Sequence, residues 1–498
     1  MDLAADAASA LVAGPRSDAA FIQRQALHGI LSLTGREVLG KLLGLAGGIV
    51  LARLLEPAAF GLFAIANFAV ALCAFLKDFG LAAALVQAPG DIERRDLDAL
   101  FSFQLVVVAV LAGVLFWMAP LIAGWYRAPE LTWLLRALVV FLVVRSLRIV
   151  PVLIAERSLD YRSVAMAEII GQVGYWVVVV AAALAGLGVW SLVLGVTALA
   201  TAEIAALFVR VNWQPALQFD WRPIRAHAGF GLMYKGQAAA SLVRESLVPA
   251  LGGFAYGSLA VGYLTWAQQL ALVPLALHRV VVRVIYPALA RLRGDREAFV
   301  ETVEATLKWT CRISFPALAV LAGLGPEIIQ FLYGAKWLPA LPALYLLVAD
   351  MTLGIGTDVL MTVLYAQDRR AQALKISAGW TMVTWLTAFG LMMAGVGFTG
   401  LAAAYTLGTA LALIALVSAL RGVFPRAIIR IALGPLASAT GIGAVLYVTA
   451  PAFVHGVASL MLFAAAGGAA ALLINVWAER STALAALRSL GHRPGHEA

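Results

Sequence analysis

Long uncharged intervals dominate the pattern of hydrophobic and polar positions along this chain. Residues 376–420 form a run of 45 positions without Asp, Glu, Lys or Arg. Similar intervals cover residues 169–202, 246–277 and 431–478. One bilayer crossing takes about 20 residues, so each interval is too long for one helix and fits two helices joined by a tight turn. The pattern predicts an all-α polytopic membrane protein.

Fourteen transmembrane helices account for the whole pattern. The predicted segments are residues 27–54, 58–84, 98–124, 131–153, 163–185, 189–210, 227–254, 259–280, 301–325, 337–365, 371–394, 398–420, 428–450 and 453–478.

Arginines concentrate in alternate connections between these segments. One set of connections contains Arg94, Arg95, Arg157, Arg162, Arg222, Arg225, Arg291, Arg293, Arg296, Arg369, Arg370, Arg421 and Arg426. The other set offers Arg53, Arg127 and Lys336. Because basic residues near span ends stay on the cytoplasmic side during insertion, we expect both termini to be cytoplasmic. We interpret Arg145 and Arg148, near the same helix ends, as further topology charges.

The formal net charge of +9 follows from this arginine bias. It favours contact with the anionic lipids of the inner leaflet and gives no reason to expect nucleic acid as a partner. Cys73 and Cys311 lie in apolar runs, so we predict unpaired, packed cysteines without a disulfide framework or a metal site. No connection is long enough for a soluble catalytic domain, so we predict neither an enzyme nor a cofactor.

Two similar turns indicate an internal repeat. Residues 185–192 (AGLGVWSL) and 394–401 (AGVGFTGL) share the pattern A-G-x-G-x-x-x-L at an offset of 209. Each turn joins the last two helices of a six-helix block. Six is an even number, so both blocks enter the membrane from the same side, which predicts a pseudo-two-fold axis along the membrane normal.

The resulting division has six parts. They are a cytoplasmic N-terminal segment (1–26), an N-terminal six-helix bundle (27–210), a cytoplasmic linker (211–226), a C-terminal six-helix bundle (227–420), an extra helix pair (421–478) and a cytoplasmic tail (479–498).

Four short motifs carry a resemblance to a known family. They are residues 54–61 (LLEPAAFG), 79–87 (FGLAAALVQ), 286–292 (YPALARL) and 333–337 (YGAKW). The chain resembles the polysaccharide transporter (Wzx-like oligosaccharide flippase) family over about residues 25–420. That family belongs to the superfamily of multidrug, oligosaccharidyl-lipid and polysaccharide exporters.

The resemblance implies a location in the bacterial inner membrane and alternating access between two six-helix bundles. The implied substrate is a polyprenyl-diphosphate-linked oligosaccharide for a surface polysaccharide, namely exopolysaccharide, capsule or O-antigen. Membrane lipids, a polysaccharide polymerase and chain-length or export machinery are the implied partners.

Charged residues inside predicted helices are the candidate site. A charge near the bilayer centre costs roughly 2.5–3.5 kcal/mol on insertion scales, so each one requires a partner or a hydrated cavity. Arginine and lysine at the interface of the two blocks would bind the two negative charges of a lipid diphosphate. The candidate substrate-binding residues are Arg36, Lys41, Lys235, Arg244, Lys308 and Arg312. Glu37 and Asp350 are candidates for ion coupling or for counter-ions.

Structural alternatives stay open for each of these charges. Arg36 reaches the inner interface in one alternative, and Lys41 is neutralised by Glu37 in another. Two further alternatives pair Arg244 with Asp350 or Glu245, and Lys308 with Glu304. Asp350 is either the counter-ion of Arg312 or an ion-coupling carboxylate, and the sequence does not separate the two.

Two other transport functions fit the same architecture. A lipid II flippase would have the same number of helices and a cationic cavity, and only the local motifs argue against it. An ion-coupled exporter of cationic drugs would favour a net acidic cavity, whereas the predicted first and seventh helices are net basic.

Overall fold

The computed structural model describes residue 40 and residues 43–77, 93–211, 213–220, 236, 238–422 and 427–491. Within these ranges every regular element is a helix. Eleven helices are long and apolar enough to cross a membrane, or twelve if one bent pair is counted as a single span. The predicted all-α polytopic membrane fold is confirmed at this level, and the count of fourteen stays a prediction.

The chain divides into two compact units, Met1–Ala238 and Ala239–Ala498. The described helices of the first unit are α1 (Leu43–Leu54), α2 (Pro57–Lys77), α3 (Arg94–Trp125), α4 (Leu131–Ser146), α5 (Ile149–Arg157), α6 (Tyr161–Leu184) and α7 (Val189–Arg210). The helices of the second unit are α8 (Ala238–Leu275), α9 (Ala276–Arg291), α10 (Arg296–Gly323), α11 (Gly325–Tyr333), α12 (Leu341–Ala366), α13 (Arg370–Met393), α14 (Thr399–Ala419), α15 (Ala427–Phe453) and α16 (Val457–Gly491).

The two glycine turns have the same backbone conformation. Gly186 and Gly188 have φ angles of 77° and 53°, and Gly395 and Gly397 have φ angles of 75° and 78°. In each turn the residue between the glycines donates a 3.1 Å amide hydrogen bond to the carbonyl five residues before it. Glycine ends these helices because it adopts the left-handed conformation without steric cost.

A second pair of matching turns occurs at the same offset. Leu159, between α5 and α6, and Asp368, between α12 and α13, have φ angles of 56° and 60°. Both turns close with an amide hydrogen bond to the carbonyl five residues earlier, 2.8 Å long in the first and 2.9 Å in the second. Two pairs of equivalent turns with one spacing support the internal repeat of the sequence.

Helix α8 contains a chain reversal at Gly257, between the predicted segments 227–254 and 259–280. Gly257 has φ 78° and ψ −179°, which is not helical. A Cβ placed on Gly252 would lie 4.0 Å from Leu264 Cδ1. On a straight helix, residues twelve apart are separated by about 18 Å, so the chain folds back between them.

Helix α10 does not end the ninth segment as predicted, because the chain bends by 71° and continues as α11. The bend lies at Gly325 and Pro326, since proline is favoured at the first helical position and starts a new helix there. The motif at residues 333–337 then closes against the bundle. Trp337 is fully buried and stacks on Trp266 with 4.8 Å between ring centroids.

The first part of the predicted linker lies on the first unit. The linker segment (residues 211 and 213–220) runs along the start of α3. Trp213 Nε1 donates to Asp98 Oδ1 at 3.3 Å, and the Gln218 amide donates to Ser102 Oγ at 2.9 Å. Arg95 pairs with the carboxylate of the last described linker residue, Asp220, at 2.7 Å.

Small residues attach α15 to the second unit. A Cβ on Gly323 of α10 would lie 2.6 Å from the Gly443 carbonyl oxygen, so the two backbones touch directly. We expect Gly323→Ala to force α10 and α15 apart and to lower the free energy of unfolding by about 1–3 kcal/mol. Thermal unfolding in detergent measures this. Gly441→Ala on α15 is the control, because nothing lies within 4 Å of its Cβ position. Equal unfolding midpoints for both variants would contradict the prediction.

Candidate functional site

The structure describes four of the eight predicted site residues. Arg36, Glu37, Lys41 and Lys235 lie outside the described residues. The other four belong to the second unit, with Arg244 on α8, Lys308 and Arg312 on α10, and Asp350 on α12.

Arg244 lies against an aromatic face. Its guanidinium carbon is 3.8 Å from the centroid of the Trp380 ring on α13, which is a close cation–π contact. The carboxylates of Glu245, Asp350 and Asp358 attract it through space. None of these forms an ion pair with Arg244 within 4.0 Å among the described residues, and its buried Nη1 has no hydrogen-bond partner there.

The backbone around Arg244 is fixed by side chains of the neighbouring helices. A π-helical turn over Leu247–Gly252 follows it, and Pro249 in that turn has no amide hydrogen to donate. Nearby carbonyls accept hydrogen bonds from side chains. Tyr405 of α14 donates to the Arg244 carbonyl at 2.9 Å, and Trp385 of α13 donates to the Val243 carbonyl at 2.8 Å. The guanidinium is therefore held by a rigid backbone.

Asp350 faces the same cluster of side chains. It is buried, and Thr409 Oγ1 of α14 donates a 2.5 Å hydrogen bond to its Oδ1. Its electrostatic neighbours are Arg244 and Asp358. Arg312 is not among them, although the sequence left open that it is the counter-ion of Asp350. We call Arg244, Trp380, Asp350, Tyr405 and Thr409 the Arg244 cluster.

A histidine and a second aspartate extend the polar region along α12. Asp358 lies two turns beyond Asp350, and its Oδ2 is 3.3 Å from Nε2 of the buried His278 on α9. The sequence analysis passed over both residues. Asp358 falls inside the predicted segment 337–365, so a complete search for carboxylates within predicted helices would have found it.

Lys308 and Arg312 lie on α10 and make contacts of their own. The Arg312 guanidinium carbon is 5.8 Å from the Trp309 ring centroid. Both residues take part in further interactions. Neither is an electrostatic neighbour of Arg244 or Asp350, so the structure does not join them to the Arg244 cluster.

The first unit contains an ion-pair network that corrects the interpretation of Arg148. Arg148 joins α4 to α5, and its guanidinium contacts Glu203 of α7 at 2.8 Å and Glu168 of α6 at 3.4 Å. Arg145 also attracts both carboxylates. Arg145 and Arg148 are therefore not merely topology charges. Glu168 and Glu203 flank the uncharged interval 169–202, and the α6–α7 hairpin brings these two ends together.

Close helix packing sets the position of that network. A Cβ on Gly171 of α6 would lie 3.0 Å from the Leu199 carbonyl oxygen and 3.1 Å from Glu203 Cβ. The side chain of Glu203 is 3% exposed, so its carboxylate depends on Arg148 for charge neutralisation.

A family profile described as "Polysaccharide biosynthesis protein" matches residues 50–342. Over 324 residues the chain is 25% identical to the teichuronic acid biosynthesis protein TuaB of Bacillus subtilis (strain 168), which covers 64% of this chain and 66% of TuaB. It is also 25% identical over 323 residues to the lipopolysaccharide biosynthesis protein WzxC of Escherichia coli (strain K12), covering 64% and 65% of the two chains. The match thus spans slightly less than two thirds of these relatives. The Wzx-like resemblance of the sequence motifs is confirmed.

The fold is similar to a solved structure of the lipid II flippase MurJ in an inward closed conformation. The TM-score is 0.73 at 16% identity, and the similarity covers 91% of this chain and all of the other, 100%. At this identity the similarity defines the fold and not the substrate.

Proposed function

This chain belongs to the family of polysaccharide biosynthesis proteins, and on that basis we propose that it is an inner-membrane flippase for a polyprenyl-diphosphate-linked oligosaccharide. It would move the glycan head group from the cytoplasmic to the periplasmic leaflet for the synthesis of a surface polysaccharide. The names of TuaB and WzxC, both biosynthesis proteins for surface polymers, support this substrate class.

The observation that carries the proposal is the environment of Arg244. A guanidinium stacked on Trp380, without an ion pair within 4.0 Å among the described residues, is oriented to accept an anionic ligand. A diphosphate supplies two such charges, and the planar fork of arginine binds phosphate oxygens in a bidentate manner. In this proposal the lipid tail stays in the bilayer while the head group passes through a hydrated path.

The remaining site residues keep the roles that the sequence predicts. Arg36, Lys41, Lys235, Lys308 and Arg312 would contribute further positive charge along the path. We propose an ion-coupling role for Asp350 in place of a pairing with Arg312, because buried carboxylates within membrane helices commonly serve proton and ion transport. Glu37 would neutralise Lys41 or couple an ion. A polymerase and export machinery would use the flipped lipid.

The orientation and the mechanism are part of the same proposal. Both termini would lie in the cytoplasm, and the two units would alternate between inward and outward access around the substrate. The matched turns at an offset of 209 support two equivalent blocks. The division into bundles at residues 27–210 and 227–420, with the helix pair 421–478 appended, belongs to this proposal.

Purified protein in liposomes tests the substrate class. Three cargoes are compared: a polyprenyl-diphosphate oligosaccharide, lipid II and a cationic dye. We expect the oligosaccharide lipid to become accessible to an external glycan-modifying enzyme at a rate well above that of empty liposomes. Faster movement of lipid II would favour the lipid II flippase, a possibility supported by the MurJ-like fold. Transport of the dye alone would exclude a lipid-linked glycan as the substrate.

A further inference from the structure

Helix α3 presents an apolar face that extends across most of a bilayer. Six residues on this face are at least 45% exposed: Val106, Val110, Val114, Trp117, Leu121 and Trp125. They recur every three or four residues over about 28 Å of helix. A hydrated transport path would require polar residues, so this face contacts lipid acyl chains.

An arginine lies beside the end of this face. Arg136 is five residues after the start of α4, which places it about 7.5 Å below the helix end. Its guanidinium carbon is 4.7 Å from the Phe116 ring and 5.1 Å from the Trp133 ring. Trp133 is 63% exposed and Trp117 is 79% exposed. Aromatic residues of this kind mark the level of the lipid head groups.

The two rings orient Arg136 without neutralising it. Among the described residues no carboxylate pairs with Arg136 within 4.0 Å and no acceptor binds its nitrogens. Nε is covered, so the terminal nitrogens are the ones that reach the surface. An arginine at the head-group level beside a lipid-facing surface interacts most favourably with lipid phosphate.

We propose that Arg136, Phe116 and Trp133 form a binding site for the phosphate of an anionic phospholipid. The acyl chains of that lipid would lie along the exposed face of α3. A phosphatidylglycerol head group fits this chemistry, because it carries no ammonium group that would compete with the guanidinium for its phosphate. The site lies at the opposite end of α3 from Arg94 and Arg95, which assigns it to the leaflet away from those residues. The inference is independent of the proposed transport activity.

Native mass spectrometry of the full-length protein in detergent tests this site with phosphatidylglycerol and phosphatidylcholine as probes. We expect tighter retention of the first phosphatidylglycerol, and a loss of about fivefold or more in its affinity in Arg136→Ala. Arg136→Lys should be intermediate, because lysine keeps the charge and lacks the planar group that stacks on both rings. Arg127→Ala, at an exposed arginine near the same end, is the control and should change the affinity less than about twofold.

Equal phosphatidylglycerol affinity in wild type and Arg136→Ala would overturn the proposal. An equal loss in Arg127→Ala would also overturn it, since the effect would then be general surface charge. Displacement of phosphatidylglycerol by equimolar polyprenyl diphosphate would overturn the assignment to a phospholipid. If Arg136→Ala does not fold, Trp133→Leu keeps the arginine, removes one ring and should still weaken phosphatidylglycerol binding.

Discussion

Replacement of Arg244 by alanine is expected to slow glycan-lipid flipping by about 10- to 100-fold, since hydrogen bonds to charged groups contribute about 1.5–3 kcal/mol. The fold around it should persist, because Tyr405 binds the backbone carbonyl of Arg244 and that carbonyl is present in the variant. Arg244→Lys should retain part of the rate, because lysine offers one point charge and stacks less well on Trp380. The initial rate of glycan accessibility in proteoliposomes measures the effect.

The control for Arg244 is an arginine outside the cluster. Arg370 is an exposed residue at the start of α13 that pairs with Asp368 at 3.0 Å, and Arg370→Ala should flip at the wild-type rate. If Arg244→Ala transports like wild type at equal thermal stability, Arg244 is a structural partner of Trp380 and does not bind the substrate. Such a result would leave the family assignment intact and remove the cationic site.

The second large effect is expected in the first unit, where Arg148→Met should lower the free energy of unfolding by about 3–5 kcal/mol. The variant leaves the buried carboxylates of Glu203 and Glu168 without their ion-pair partner. Adding Glu203→Gln to Arg148→Met should recover part of the loss, because the double variant removes one uncompensated charge. Thermal unfolding in detergent for the single and double variants gives the coupling energy.

The second unit provides a matched control. At the offset of 209, Thr357 occupies the position equivalent to Arg148, and Ser377 and Ala412 are equivalent to Glu168 and Glu203. Thr357 is fully buried and bonds only to its own helix, so Thr357→Val should change stability by less than about 1 kcal/mol. An additive double variant in the first unit would show that Arg148 and Glu203 do not stabilise each other.

Helix positions were predicted well where an uncharged interval ends at a turn. The segment 189–210 coincides with Val189–Arg210, and 371–394 differs by one residue at each end from Arg370–Met393. Length and hydropathy determine such boundaries because the bilayer fixes the number of apolar residues. The bend between α10 and α11 was missed, because a Gly-Pro pair in an apolar stretch is as typical of a loop as of a redirected helix.

The chemistry was predicted less completely, because side-chain partners depend on contacts between distant helices. Arg244 and Asp350 were recognised as intramembrane charges, yet the Trp380 ring and the Thr409 hydroxyl came from helices that no local pattern connects to them. Arg148 was misinterpreted for the same reason. Its depth in the sequence resembled that of a boundary arginine, and only the α6–α7 hairpin brings two carboxylates to it.

The linker segment determines where the gene can be divided. Trp213 covers Leu97 and Phe101 at the start of α3, and its ring meets that of Phe101 at 5.3 Å. An N-terminal fragment ending at residue 210 would expose this apolar surface to water and lose the Asp98, Ser102 and Arg95 contacts. A fragment that continues through Asp220 keeps them. Co-expression of separated halves, to ask whether two polypeptides reassemble into one transporter, should therefore place the break after Asp220.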